Sequence, residues 1–222
     1  MAAISVFDVI GPNMIGPSSS HTAGAAAIAL LTRKLMDGHI TSVRFTLYGS
    51  FAETYRGHGT DKALLGGILG YTADDVRIRS SMENAEKEGL AYEFVMNSEE
   101  KTKHPNTVDI ELQNDAGRTL SVRGESVGGG KIRLVRINRI EVDFTGEYSS
   151  LIVSHEDHPG VIAYITKCLA DHKVNIAFMK LYREAKGQKA YTIVEADEKI
   201  QQTIIDEIGK NQYVRRTMLV QV

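Results

Sequence analysis

The chain has 222 residues, a formal net charge of −2 and no tryptophan. That length can bury a real core and leaves one domain or two small ones open. Its scattered Lys and Arg, with no interleaved aromatics, argue against a dedicated nucleic-acid surface.

No run reaches the apolar length of a membrane span and residues 1–8 lack the basic start of a signal peptide, so the expected location is cytoplasmic. The first distinctive stretch is Ile15-Gly16-Pro17-Ser18-Ser19-Ser20-His21-Thr22, set ahead of the Ala-rich run 23–31. Gly16 can take backbone angles closed to other residues, Pro17 fixes the next one, and Ser18, Ser19, Ser20 and Thr22 compete to cap the helix. Free N–H groups and the helix dipole at that end favour a carboxylate or phosphate. Two readings stand open: a small-anion cradle, or a helix cap with more hydroxyls than capping needs.

Apolar spacing then predicts a helix over 22–36, a strand over 42–48 and a second helix from residue 60 or 61. Gly66 and Gly67 weaken that second helix unless something packs closely on their side. A polar helix over 81–88 has Glu83, Glu86, Lys87 and Glu88 on a solvated face. Strands follow near 91–96, 107–112, 119–123, 132–137 and 140–144, with a turn at 114–117. Gly128-Gly129-Gly130-Lys131 lacks the spacing of a phosphate loop and reads as a flexible strand entry. A linker is expected at 145–147.

From residue 148 the order becomes strand, helix, strand, strand, helix, strand: strands at 150–154, 175–184, 189–196 and 216–222, helices at 159–171 and 199–210, and a hairpin turn at Lys186-Gly187. That order folds as a ferredoxin-like sandwich. The fold class is therefore α/β (α+β), with a mixed domain over 1–145 and a βαββαβ domain over 148–222. Cys168 is the one cysteine; it falls at helical spacing with Ile162, Ile165 and Leu169 and reads as a buried structural residue.

Four later blocks carry a chemistry-bearing pattern: Tyr48-Gly49-Ser50-Phe51-Ala52, Arg56-Gly57-His58-Gly59-Thr60-Asp61-Lys62-Ala63, His104-Pro105-Asn106 and Gly124-Glu125-Ser126-Val127-Gly128-Gly129-Gly130. Together with Phe7-Asp8-Val9-Ile10-Gly11-Pro12 and the serine block, they resemble the beta subunit of the bacterial iron–sulfur-dependent L-serine dehydratases (L-serine ammonia-lyases). The resemblance implies a lyase subunit that converts L-serine to pyruvate and ammonia, inactive alone, working with a 4Fe-4S cluster whose iron takes the leaving hydroxyl. One cysteine cannot hold such a cluster, so the thiolates are expected from a cysteine-rich alpha subunit.

By the same resemblance His58, Thr60, His104 and Asn106 contact substrate, and Ser18, Ser19, Ser20, His21 and Thr22 line the serine cleft. Imidazole, hydroxyl and amide groups suit a carboxylate and an ammonium. A histidine is the natural base near neutral pH; which one, and whether part of this set forms a second, activating serine site, stays open. The C-terminal third resembles an ACT domain, most like the tail of D-3-phosphoglycerate dehydrogenase, with effector positions His155, Asp157 and Asn175 and self-association through paired domains. Asp157 stands where that family has an amide. The alternatives are that His155, Asp157 and His158 cap a helix, and that the whole chain is a non-catalytic amino-acid sensor. A metal pair at His155 and His158 is the weaker reading.

Overall fold

The computed structural model describes residues 13–220; the block 7–12 lies outside the described residues. The chain divides into two compact units, Met1–Asn138 and Arg139–Val222. The division falls ahead of the linker expected at 145–147, so the strand Ile140–Phe144 counts with the second unit.

In the first unit a π-helical turn, Ser19–Gly24, runs into the helix Ala25–Lys34. Strands β1 (Ile40–Tyr48), β2 (Ala91–Asn97), β3 (Thr107–Asn114), β4 (Thr119–Gly128) and β5 (Lys131–Ile137) lie in the order β2-β1-β3-β4-β5. β1 and β2 are parallel, which requires a crossover. The helices Gly49–Thr54, Thr60–Ile68 and Ser81–Lys87 supply it. The remaining neighbours pair antiparallel as a meander.

One face of this sheet is apolar and buried, with Phe45, Leu47, Ile110, Val122 and Leu134 in the core. The helices Ala25–Lys34 and Thr60–Ile68 cross so closely that a Cβ on Gly67 would lie 2.5 Å from the Ala26 carbonyl oxygen and 2.6 Å from the Ala29 Cβ. Gly67 thus lets two helix backbones touch, while Gly66 faces the other way, where a Cβ would come within 2.9 Å of Ser81 Oγ. Gly124 plays the same part between β4 and Ile28.

The second unit holds β6 (Ile140–Phe144), β7 (Ser149–Glu156), β8 (Ile176–Arg183), β9 (Lys189–Ala196) and β10 (Val214–Val220), with helices Val161–Asp171 and Gln202–Gly209. Its sheet runs β10-β7-β9-β8, antiparallel throughout, which is the ferredoxin-like arrangement. Leu151, Val153, Val194, Ile165, Leu169, Ile204 and Ile208 form its core, and Cys168 is buried among them. No helix of the described residues is long and apolar enough to cross a membrane.

Candidate functional site

The serine block sits where the sequence places a helix start. Ser18 is extended, and its Oγ accepts the His21 N–H at 3.1 Å. One hydroxyl therefore does the capping, and those of Ser19 and Ser20 take no part in it. The π-helical turn rotates His21 away from the helix axis toward Ser50, whose Oγ lies 3.0 Å from His21 Nε2, while Ser18 Oγ lies 3.3 Å from Nδ1. The His21 ring meets Phe51 edge-on and lies 4.8 Å from the His58 ring. Burial, then the neighbouring His58, hold the His21 imidazole below its ordinary value of 6.5 against a Ser50 hydrogen bond that raises it.

His58 is held by its backbone. Its carbonyl accepts the hydroxyl of the buried Thr22 at 3.0 Å, Gly59 takes a left-handed φ of 68°, and the helix Thr60–Ile68 begins at the next residue. That leaves the ring free of the backbone's needs. His58 Nδ1 and Thr60 Oγ1 are buried and have no hydrogen-bond partner among the described residues.

The third segment is His104-Pro105-Asn106. The His104 carbonyl accepts from the hydroxyls of Thr102 (2.7 Å) and Thr107 (2.6 Å), and its Nδ1 accepts the Asn106 N–H at 3.2 Å. The Pro105 backbone lies against Gly49, where a Cβ would come within 2.7 Å of the Pro105 oxygen. The Asn106 carbonyl accepts the Ser126 N–H, and Ser126 Oγ donates to the Ser20 carbonyl, both at 2.9 Å. Asn106 Oδ1 is the third buried polar atom of this unit without a partner among the described residues.

The serine block thus meets His58 through His21 and Thr22, and meets Asn106 through Ser126. Ser50 and Ser126, which join the segments, were not counted as site residues. Both lie in motif blocks, and a serine inside each block was the available signal.

The second unit is arranged otherwise. His155 is 1% exposed; its Nδ1 donates to the Glu156 carbonyl at 2.6 Å and its Nε2 accepts from Thr192 Oγ1 at 2.8 Å. Asp157 accepts the Gly187 N–H and Arg183 Nη1, each at 3.1 Å, and the Gly187 bond, then Arg183, hold its carboxyl below the usual range. Asn175 donates its amide to Asp197 at 2.7 Å. His158 stacks on Tyr213.

The donors of this chain do not fit an iron–sulfur cluster. Its single thiol, Cys168, is buried in the helix Val161–Asp171, and burial first, then Glu207, push its pKa up, away from the thiolate a metal needs. Among the described residues no three His, Cys, Asp or Glu side chains are grouped to hold a metal ion.

Residues 5–92 match the family model described as serine dehydratase beta chain. The chain is 42% identical to a probable L-serine dehydratase beta chain of Bacillus subtilis (strain 168), over 93% of both chains. It is 40% identical to the L-serine dehydratase beta chain of Peptoniphilus asaccharolyticus, over 92% of both. The chain belongs to the serine dehydratase beta chain family. As a serine dehydratase beta chain it is a subunit of a lyase. Residues 151–216 of this beta chain match the AHAS small subunit-like ACT domain, in agreement with the ferredoxin-like sheet. A D-3-phosphoglycerate dehydrogenase of Bacillus subtilis (strain 168) is 26% identical over 83% of this beta chain and 35% of its own length.

Proposed function

We propose that this beta chain binds L-serine at the first-unit site, for dehydration to pyruvate and ammonia within a complex whose alpha subunit carries the 4Fe-4S cluster. The observation that supports the binding site is the set of three buried atoms without partners, His58 Nδ1, Thr60 Oγ1 and Asn106 Oδ1. Buried polar atoms almost always find a partner, and leaving one without costs roughly 1–3 kcal/mol. Three in one neighbourhood fit a site whose ligand completes them. An amino acid offers an ammonium to Asn106 Oδ1 and hydroxyl or carboxylate oxygens to Thr60.

The reaction removes a proton from Cα and hydroxide from Cβ; the enamine becomes an imine, and water releases ammonia and pyruvate. Of the three imidazoles, His58 suits the proton. His21 has both nitrogens near serine hydroxyls, and His104 Nδ1 is occupied by the Asn106 N–H, whereas His58 Nδ1 is unpartnered. His21 then orients and restricts His58 through their ring contact. The chain's single buried thiol supports assigning the cluster's thiolates to the partner.

The ACT domain is proposed to pair with a second copy, because β8 is a sheet edge carrying the exposed Phe178 and Leu181. An amino-acid effector at His155, Asp157 and Asn175 would exchange places with Arg183, Gly187 and Asp197. The test is an anaerobic pull-down of the tagged chain from its native cells. The expected eluate holds a cysteine-rich partner, iron and sulfide, and makes pyruvate from L-serine. With a known oxygen-labile complex surviving the same procedure as control, an iron-free chain that makes no pyruvate contradicts the proposal.

A further inference from the structure

Beside His58 the first unit opens into a cleft of about 320 Å³ whose wall carries Arg56, Lys62 and Arg79 together with Thr22 and His58, and, among the described residues, no carboxylate. The three cations come from three different elements. Arg56 precedes the Gly57-His58-Gly59 turn, Lys62 lies in the first turn of the helix Thr60–Ile68, and Arg79 sits in the 3₁₀ turn Val76–Ser80. Like charges facing one cleft repel, by about 1 kcal/mol per pair at 4 Å even in bulk water and more near a protein wall. Their company favours a negative partner.

The neighbouring Arg77 shows what a satisfied arginine looks like in this same turn. It forms a bidentate pair with Asp75 and lies over the Tyr71 ring, 4.2 Å from its centroid. Arg79, two residues on, makes no hydrogen bond or ion pair with any described residue. Arg56 lies over the Tyr55 ring with no carboxylate of the described residues in salt-bridge contact. Asp61 is the acid beside the cleft but does not line it; its carboxylate accepts the Lys62 N–H at 2.8 Å. Burial pushes the Asp61 carboxyl up, while Lys62 and Arg56 pull it down.

The surrounding backbone leaves room for a ligand rather than for packing. A Cβ on Gly59 would meet nothing within 4 Å, and one on Gly57 only the Thr54 carbonyl at 3.7 Å. The helix Thr60–Ile68 also presents its positive end here. Every charge on this wall therefore favours an anion, and the wall ends at His58 with its unpartnered Nδ1.

We infer that Arg56, Lys62 and Arg79 form the carboxylate-recognition wall of the substrate site, holding the α-carboxylate of the amino acid so that its Cα faces His58. This rests on the proposal that the first unit binds L-serine. It assigns a specificity to the site: the ligand must carry a free carboxylate, and an uncharged amide or ester in its place is rejected. The cleft is several times larger than a serine molecule, so a carboxylate anchor at one end fixes which end of the ligand approaches the imidazole. Arg79 carries the strongest demand for an anion, because no side chain among the described residues pairs with its charge.

The test uses the complex purified anaerobically with Arg79→Gln, Arg79→Lys and Lys62→Gln variants, assayed with L-serine and with L-serinamide. Arg79 is exposed and pairs with none of the described residues, so its replacement leaves folding intact, and thermal melting checks this. Arg79→Gln is expected to raise the KM for L-serine by about ten- to a hundredfold, the effect of one charge-assisted hydrogen bond, with kcat nearly unchanged. Arg79→Lys should recover part of the loss. The wild-type preference for L-serine over L-serinamide should shrink by the same factor in Arg79→Gln. Unchanged KM in all three variants, or an unchanged preference, overturns the assignment. Inorganic phosphate provides the other arm: inhibition that vanishes in Arg79→Gln while the KM for L-serine stays put would make this a phosphate site and also overturn it. A wild-type complex that forms no pyruvate reports against the function itself, whereas an active wild type with indifferent variants reports against the carboxylate wall alone.

Discussion

His58 lies in the turn before the helix Thr60–Ile68 and His155 in the strand β7, and their rings are placed under opposite conditions. Both His155 nitrogens are occupied, by the Glu156 carbonyl and the Thr192 hydroxyl, within a core that leaves it 1% exposed. At His58 the backbone is tied down through Thr22 while Nδ1 is buried and unpartnered. The first arrangement gives fold stability; the second leaves hydrogen-bonding capacity for something that is not part of the chain. A histidine in a motif becomes informative once its ring partners are counted.

The largest expected effect breaks or sustains that contrast on the side of chemistry. His58→Ala should lower turnover of the complex by roughly 10²- to 10⁴-fold, the usual range for a positioned acid or base, with the melting temperature changed little. Turnover equal to wild type would remove His58 from the site. His155→Ala should do the reverse. Deleting the buried ring leaves a cavity and orphans Thr192, which together cost about 2–4 kcal/mol, visible as an earlier urea transition of the second unit with kcat retained where that unit is folded.

A smaller change tests how the first site is held. Gly67→Ala pushes a methyl into the Ala26 carbonyl and Ala29, so it should cost about 1–3 kcal/mol. Denaturant unfolding measures that cost, and activity should fall with it because residue 60 rides on the same helix. Neutral behaviour would mean that the helix crossing does not position the site.

The smallest effect is a pH dependence. His21 has its folded pKa below the ordinary 6.5, so the unfolded chain binds more protons between those two values. Stability from this group is fully present above 6.5 and is lost as pH falls toward the folded value. Urea midpoints measured across that window should decline less steeply in His21→Gln. An identical slope in both proteins would show that His21 carries no such linkage.

Much of this contrast was hidden from the sequence for a physical reason. Period and turn residues located the β strands and both helices of the ferredoxin-like unit to within a few residues, because those signals are local. The glycines at 66 and 67 even announced close approaches, which proved to be the helix Ala25–Lys34 at Gly67 and Ser81 with Ile78 at Gly66. The six-residue helix Gly49–Thr54 and the 3₁₀ turn Val76–Ser80 are too short to show a period, and the π-helical turn at Ser19–Gly24 differs from an α-helical start only in its hydrogen bonds. Motif blocks named the site residues, but their joining through Ser20 and Ser126, 106 positions apart, is a tertiary fact. So is the difference between Arg77, paired with Asp75, and Arg79, which pairs with none of the described residues.

The most direct test is a structure of the complex assembled with His58→Ala and held with L-serine under anaerobic conditions, where slowed turnover keeps the ligand in place. The account predicts an amino acid in the first-unit cleft, with its carboxylate toward Arg79 and its Cα facing the space left by the imidazole. L-serine bound elsewhere in the complex, with that cleft holding only water, would contradict it.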